Sequence, residues 1–186
     1  MDDNKTLDIK ILNDEEFING RTDIDIPEKA KLFGKPDNEE VIIYIHKETL
    51  RSLEEYSKAD INNERGSVLI GDYRLREGVF YIVISGYIEA KHAISKRATL
   101  TFTHETWRYI HEVKENIYSE KRIVGWHHTH PGYGVYLSEY DLFIQRNFFN
   151  LPFQIAFVVD PINDTKGFFQ LKDMNISKVQ GYYVYD

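Results

Sequence analysis

From residue 41 onward, short β-branched runs alternate with stretches of helical period. Residues 41–45, Val-Ile-Ile-Tyr-Ile, form a brief apolar run of the kind a buried strand shows, and residues 47–58 follow with Leu50, Leu53 and Tyr56 on one helical side. Runs at 67–71 and 79–84 flank Arg76-Glu77-Gly78, which predicts a hairpin. Residues 99–103 form another strand by composition. Thr103 or Thr106 can then cap a helix reaching about Tyr118, with Trp107, Ile110, Val113, Lys114 and Ile117 at helical spacing. A strand over 122–128, a turn-rich loop over 131–137, a helix over 138–149 and strands over 153–159 and 167–171 complete the pattern. Strands with interspersed helices indicate an α/β fold of three layers or fewer.

Before residue 41 the pattern is different. Apolar alternation is brief, at 7–11 and 24–26, and Gly20, Pro27, Gly34 and Pro36 interrupt it. Residues 1–40 hold 12 acidic and 6 basic side chains, so they carry most of the formal net charge of -7. Residues 1–38 therefore read as an acidic arm peripheral to the core, either adding a strand or staying loose, and residues 39–186 read as the single folded domain. A chain of 186 residues with 42% hydrophobic content suits one core.

Composition narrows the chemistry. The chain has no cysteine, which excludes disulfides, thiolate metal sites and a cysteine nucleophile. Any metal must be held by His, Asp or Glu. The acidic balance argues against a nucleic-acid binder, and with neither a signal-peptide pattern nor an apolar run of membrane-spanning length, a soluble cytoplasmic protein is expected.

Polar residues are densest between Gly125 and Asp141. On a strand His128 and His130 face the same way, with β-carbons roughly 7 Å apart, and His127 faces the other. Asp141 lies one turn into a helix that Ser138 opens, so carboxylate and hydroxyl share one space. Two His and one Asp leave a tetrahedral zinc site with one position open. The blander readings are a half-exposed polar strand and a serine capping box. Each pair taken alone reads as structural; together, the strand end, the Pro-Gly turn and the helix start place all four groups within one loop closure. His127 reads as packing. His104 and His111 are too far apart along a helix to share an ion, and no phosphate-binding loop or serine elbow is present. Most of the 13 Tyr and 11 Phe read as core, leaving Tyr133 and Tyr136 as candidates for substrate contact.

His128-Thr129-His130-Pro131, then Ser138 and Asp141, resembles the motif of the JAMM (MPN+) zinc metalloprotease family. The longer run from Gly125 to Asp141 is similar to the members that deubiquitinate in the proteasome lid and deneddylate in the signalosome. The 157–161 segment, Phe-Val-Val-Asp-Pro, also looks like the family. The resemblance covers about residues 41–172 and implies an MPN/JAB-like, cytidine-deaminase-like mixed sheet flanked by helices. It implies that His128, His130 and Asp141 ligate Zn2+, that Glu64, just before the strand ending at Gly71, is the catalytic base, and that Ser138 donates a hydrogen bond to the developing oxyanion. Glu54 and Glu55 compete for the role of Glu64. Where relatives carry an aromatic residue, His127 stands here, and the 86–99 segment, where deubiquitinating members grip their substrate, is short. That and the absence of long C-terminal helices imply an independently acting enzyme of prokaryotic type.

The expected function is hydrolysis of the amide bond after the C-terminus of ubiquitin or a ubiquitin-like modifier, whose tail could pair with the strand edge at 97–103. The alternatives are a peptidase or amidase acting on small peptides or a sulfur-carrier protein, and a non-catalytic scaffold. Neither nucleic acid nor membrane is an expected partner, and the oligomeric state is not specified.

Overall fold

The structure, a computed structural model, describes residues 24–36, 41–172 and 175–186. The alternation at 7–11 and the boundary expected at residue 38 lie outside the described residues. A nine-stranded mixed sheet runs through the molecule. Its strands are β1 (Ala30–Gly34), β2 (Ile42–His46), β3 (Gly66–Arg76), β4 (Val79–Glu89), β7 (Arg122–Thr129), β8 (Ile155–Asp160), β9 (Thr165–Lys172), β10 (Asn175–Lys178) and β11 (Gly181–Tyr185). Their order across the sheet is β1-β11-β2-β4-β3-β7-β8-β9-β10, and β5 (Ile94–Lys96) and β6 (Thr99–Thr101) form a separate hairpin.

Helix α1 (Lys47–Lys58) covers one face of the sheet; α2 (His104–Ile117) and α3 (Glu139–Phe148) cover the other. The period-2 alternation of the strands divides the core accordingly. Leu53 of α1 packs with Ile43, Leu69, Ile82, Ile155 and Phe157, whereas Ile110 of α2 and Ile144 of α3 pack with Val68, Ile70, Trp126, Ala156 and Val158. Every residue of β8 is buried, as its uninterrupted apolar run Ile-Ala-Phe-Val-Val requires of a strand covered on both faces.

The expected hairpin forms, with β3 and β4 extending well past 67–71 and 79–84. Arg76 pairs with Val79, and Glu77 and Gly78 both take left-handed φ, 52° and 81°, as a two-residue hairpin turn demands. Thr103 caps α2, with Thr106 completing a reciprocal capping box. Ala30–Gly34, within the expected arm, adds a strand at the sheet edge by pairing with β11. Among the described residues no helix is long and apolar enough to cross a membrane.

A bulge in β7 decides which side chains meet. Leu69 pairs with Gly125 but Ile70 pairs with Ile123, so Val124 is the extra residue. Beyond it, Trp126 and His128 lie on the face of α2 and α3, and His127 lies on the face of α1.

Candidate metal centre

Strand pairing brings the acidic and imidazole groups together. β3 and β7 are antiparallel with Gly66 opposite His128, so two residues further out Glu64 stands opposite His130. Thr129 N donates to Arg65 O at 2.9 Å and Arg65 N to the Thr129 hydroxyl at 2.8 Å, carrying the pairing past the strand ends. His130 N donates to Val159 O at 2.9 Å, which ties the next step to β8. Ser138 is the N-cap of α3, receiving Asp141 N at 3.2 Å, and Ser138 N donates back to Asp141 Oδ2 at 2.7 Å. Such a cap contributes about 1 kcal/mol to a helix. The same reciprocal pair turns Asp141 inward against the histidines, so the capping box and the convergence of ligands are one arrangement.

His128 Nε2, His130 Nε2 and Asp141 Oδ2 form a triangle with sides of 3.1, 3.2 and 3.4 Å. Three ligands at about 2.0–2.1 Å around a tetrahedral zinc stand about 3.3 Å apart, so the residues fit that ion. The chemistry of the set agrees. With Nδ1 protonated on both rings, two imidazole lone pairs and a carboxylate face one point, a donor set that a cation completes. All three residues are buried. His130 Nδ1 lies 3.3 Å from Gly134 O, which can only accept, so Nδ1 carries a proton and Nε2 is the nitrogen left for a metal. His128 is held differently. Among the described residues its buried Nδ1 has no hydrogen-bond partner, and its ring lies 4.3 Å from that of Trp126 with only 12° between the planes.

Glu64 is 3% exposed, with Oε1 3.8 Å from His130 Nε2. Burial pushes its carboxyl up to about 7; His130 opposes that shift and Asp141 adds to it. Burial also works to raise Asp141, yet the charge of His128 and hydrogen bonds from His128, His130 and Ser138 hold it below the usual carboxylate range. Burial lowers His128. It works the same way on His130, where bonding and charge from Asp141 win and raise it.

The competing acids lie elsewhere. Glu54 pairs with Lys166 at 2.7 Å and Glu55 is exposed beside Arg51, both on α1 across the sheet. His104 and His111 are exposed on α2. The ring of Tyr136 lies 4.9 Å from that of His130, and both Tyr136 and Tyr133 are exposed. The 86–99 segment supplies the end of β4 and all of β5, and its Lys96 O accepts from Glu64 N at 2.9 Å, seating the hairpin beside the site.

Three groups without a role in the sequence expectations support the site. Trp126 carries His128, and Gln145 holds Trp126 through a 2.7 Å bond from the indole N–H. Asp160 gathers the loop between the ligands, with Gly132 N at 2.9 Å and Gly134 N at 2.8 Å. The period-2 spacing of Trp126 and His128 was a usable signal for the first. Nothing local signals the others.

Comparison with known proteins agrees with this architecture. The family described as JAB1/Mov34/MPN/PAD-1 ubiquitin protease matches residues 42–151. The 26S proteasome regulatory subunit RPN11 of Eremothecium gossypii is 29% identical over 140 residues, covering 70% of this chain and 42% of that protein. The ubiquitin carboxyl-terminal hydrolase RPN11 of Saccharomyces cerevisiae is 29% identical over 143 residues, covering 72% and 43%. The chain thus spans less than half the length of these relatives. A solution structure of a Desulfitobacterium hafniense protein superposes with a TM-score of 0.56 at 14% identity, covering 78% of this chain and 94% of that one, a likeness of fold. With the family matched across β2 to α3, which includes every residue of the converging site, the chain belongs to the JAB1/Mov34/MPN/PAD-1 ubiquitin protease family.

Proposed function

We propose that the protein is a zinc-dependent isopeptidase or peptidase of the cytoplasm, which hydrolyses the amide bond after the C-terminus of ubiquitin or a ubiquitin-like modifier. The observation that carries this reading is the ligand triangle with a buried carboxylate beside it. The names of the relatives, a proteasome subunit and a ubiquitin carboxyl-terminal hydrolase, support the substrate class.

In this reading His128, His130 and Asp141 hold Zn2+, which supplies Lewis acidity for water and carbonyl activation. Glu64 Oε1 takes a proton from the attacking water and passes it to the departing amine nitrogen as the C–N bond breaks. Its burial and raised pKa suit a group that must both accept and release that proton. The Ser138 hydroxyl, which donates to Asp141 Oδ2 at 2.6 Å, turns its proton to the carbonyl oxygen as charge develops there. The β5–β6 hairpin beside Glu64 offers main-chain groups to an extended tail, and Tyr136 borders its path.

Glu64→Gln tests the assignment. It keeps the metal, because the three ligands survive, and it lowers cleavage of a modifier fusion by about 10²–10⁴-fold. Retained turnover removes Glu64 from the base role. Running the wild type on modifier fusions and on short peptide amides settles the substrate: preference for the short amides would move the reading to a small-peptide amidase.

A further inference from the structure

Asp160 ends β8 fully buried, and among the described residues every hydrogen-bond partner of its carboxylate is a donor. Oδ1 accepts from the main-chain N–H groups of Gly132 at 2.9 Å, Ile162 at 3.0 Å and Asn163 at 3.1 Å. Oδ2 accepts from Gly134 N at 2.8 Å and from the Asn163 side-chain amide at 2.7 Å. One carboxylate thus joins the β8–β9 turn to the loop connecting His130 with Ser138. The loop depends on such a hub, because Gly132 and Gly134 take φ of 81° and 87° and have no regular secondary structure to receive their N–H groups. Gly134 is engaged from both sides: its N–H is fixed by Asp160, and its carbonyl receives His130 Nδ1.

We infer that Asp160 is a positioning residue which, through Gly134, fixes the tautomer and the aim of His130. The inference rests on the proposed metal site. His130 can present Nε2 to an ion only while Nδ1 keeps its proton, and the acceptor that keeps it there is a loop carbonyl with no rigid element of its own. Asp160 supplies the missing rigidity from the buried end of β8. The requirement is for a carboxylate. In Asp160→Asn the amide oxygen can serve the three donors at Oδ1, but the new NH2 then faces Gly134 N–H, donor against donor, so the bond lost is the one that holds Gly134.

The test compares wild type and Asp160→Asn by zinc affinity, measured against a competing chelator, and by the Nδ1–H resonance of His130 in NMR spectra of zinc-loaded and metal-free protein. The expected result is a folded variant with zinc affinity lower by about 10-fold or more and the resonance lost to exchange. A folded variant with unchanged affinity and an unchanged resonance overturns the inference. If Asp160→Asn does not fold, Gly134→Ala tests the same link. A methyl there meets no atom within 4 Å, while the left-handed φ resists it and shifts the carbonyl. Loss of the resonance supports the inference and its retention overturns it. A wild type that binds no zinc counts against the metal site itself, and the metal-free spectra still decide the role of Asp160.

Discussion

On one face of β7 the ring nitrogens of His127 meet two hydroxyls, Ser57 at 3.0 Å and Ser67 at 3.1 Å; on the other face, one residue along, His128 meets His130 at 3.1 Å and Asp141 at 3.4 Å. Both imidazoles are fully buried and the distances are nearly the same. The partners make the difference. A hydroxyl both donates and accepts, and Ser57 has already given its proton to Leu53 O at 2.7 Å. It therefore receives His127 Nε2–H, and Ser67 donates to Nδ1, so a neutral ring is satisfied on both sides. Burial then lowers the His127 pKa to about 3. Around His128 the neighbours are a second imidazole nitrogen and a carboxylate, the groups that hold a metal ion. A buried histidine among hydroxyls is a strut; one among such groups suits a cation.

The contrast can be broken most directly at Asp141. Asp141→Ala should reduce zinc, measured by elemental analysis after dialysis, from about one per chain to near none, and full retention would place the ion elsewhere. The opposite face should respond in stability alone. His127→Leu leaves two buried hydroxyls without their partner and should cost about 2 kcal/mol in urea unfolding, with zinc stoichiometry unchanged. Loss of zinc in that folded variant would mean the two faces are not independent. A third effect concerns pH. Below about pH 6.5 the unfolded chain takes up a proton on His127 that the folded chain refuses until about pH 3. Wild-type stability should therefore fall with pH across that window, by at most about 1.4 kcal/mol per unit from this group. His127→Leu lacks that contribution, so the stability gap between the two metal-free proteins should narrow as pH drops; a constant gap would show that His127 is protonated alike in both states.

Much of this site was legible before any coordinates. The spacing of His128, His130, Ser138 and Asp141 follows from a strand of period 2 and a capped helix, both of them local signals, and the structure places these side chains together. Glu64 was different. Its place opposite His130 depends on the pairing of Gly66 with His128, which no local pattern encodes, and resemblance to a family supplied it. The same limit applies to the fold. The apolar strands and the three helices among the described residues follow from periodicity, whereas β1, β5 and β10 are short and largely exposed. Gly181–Tyr185 carries a strand-like aromatic run, but its partners β1 and β2 lie far back in the chain. Asp160 lies in the family-like 157–161 segment, but its part as a hub is not legible there, because its five donors come from two separate segments.

The stacking of Trp126 on His128 also gives the molecule an optical property. An indole and an imidazole face to face at 4.3 Å are close enough for any charge on the imidazole to act on the indole's excited state. The other tryptophan, Trp107, stacks instead on Phe102 and Phe148. Ultraviolet emission from Trp126 should therefore change when an ion arrives at or leaves His128, so occupancy of the site can be followed in real time without a label.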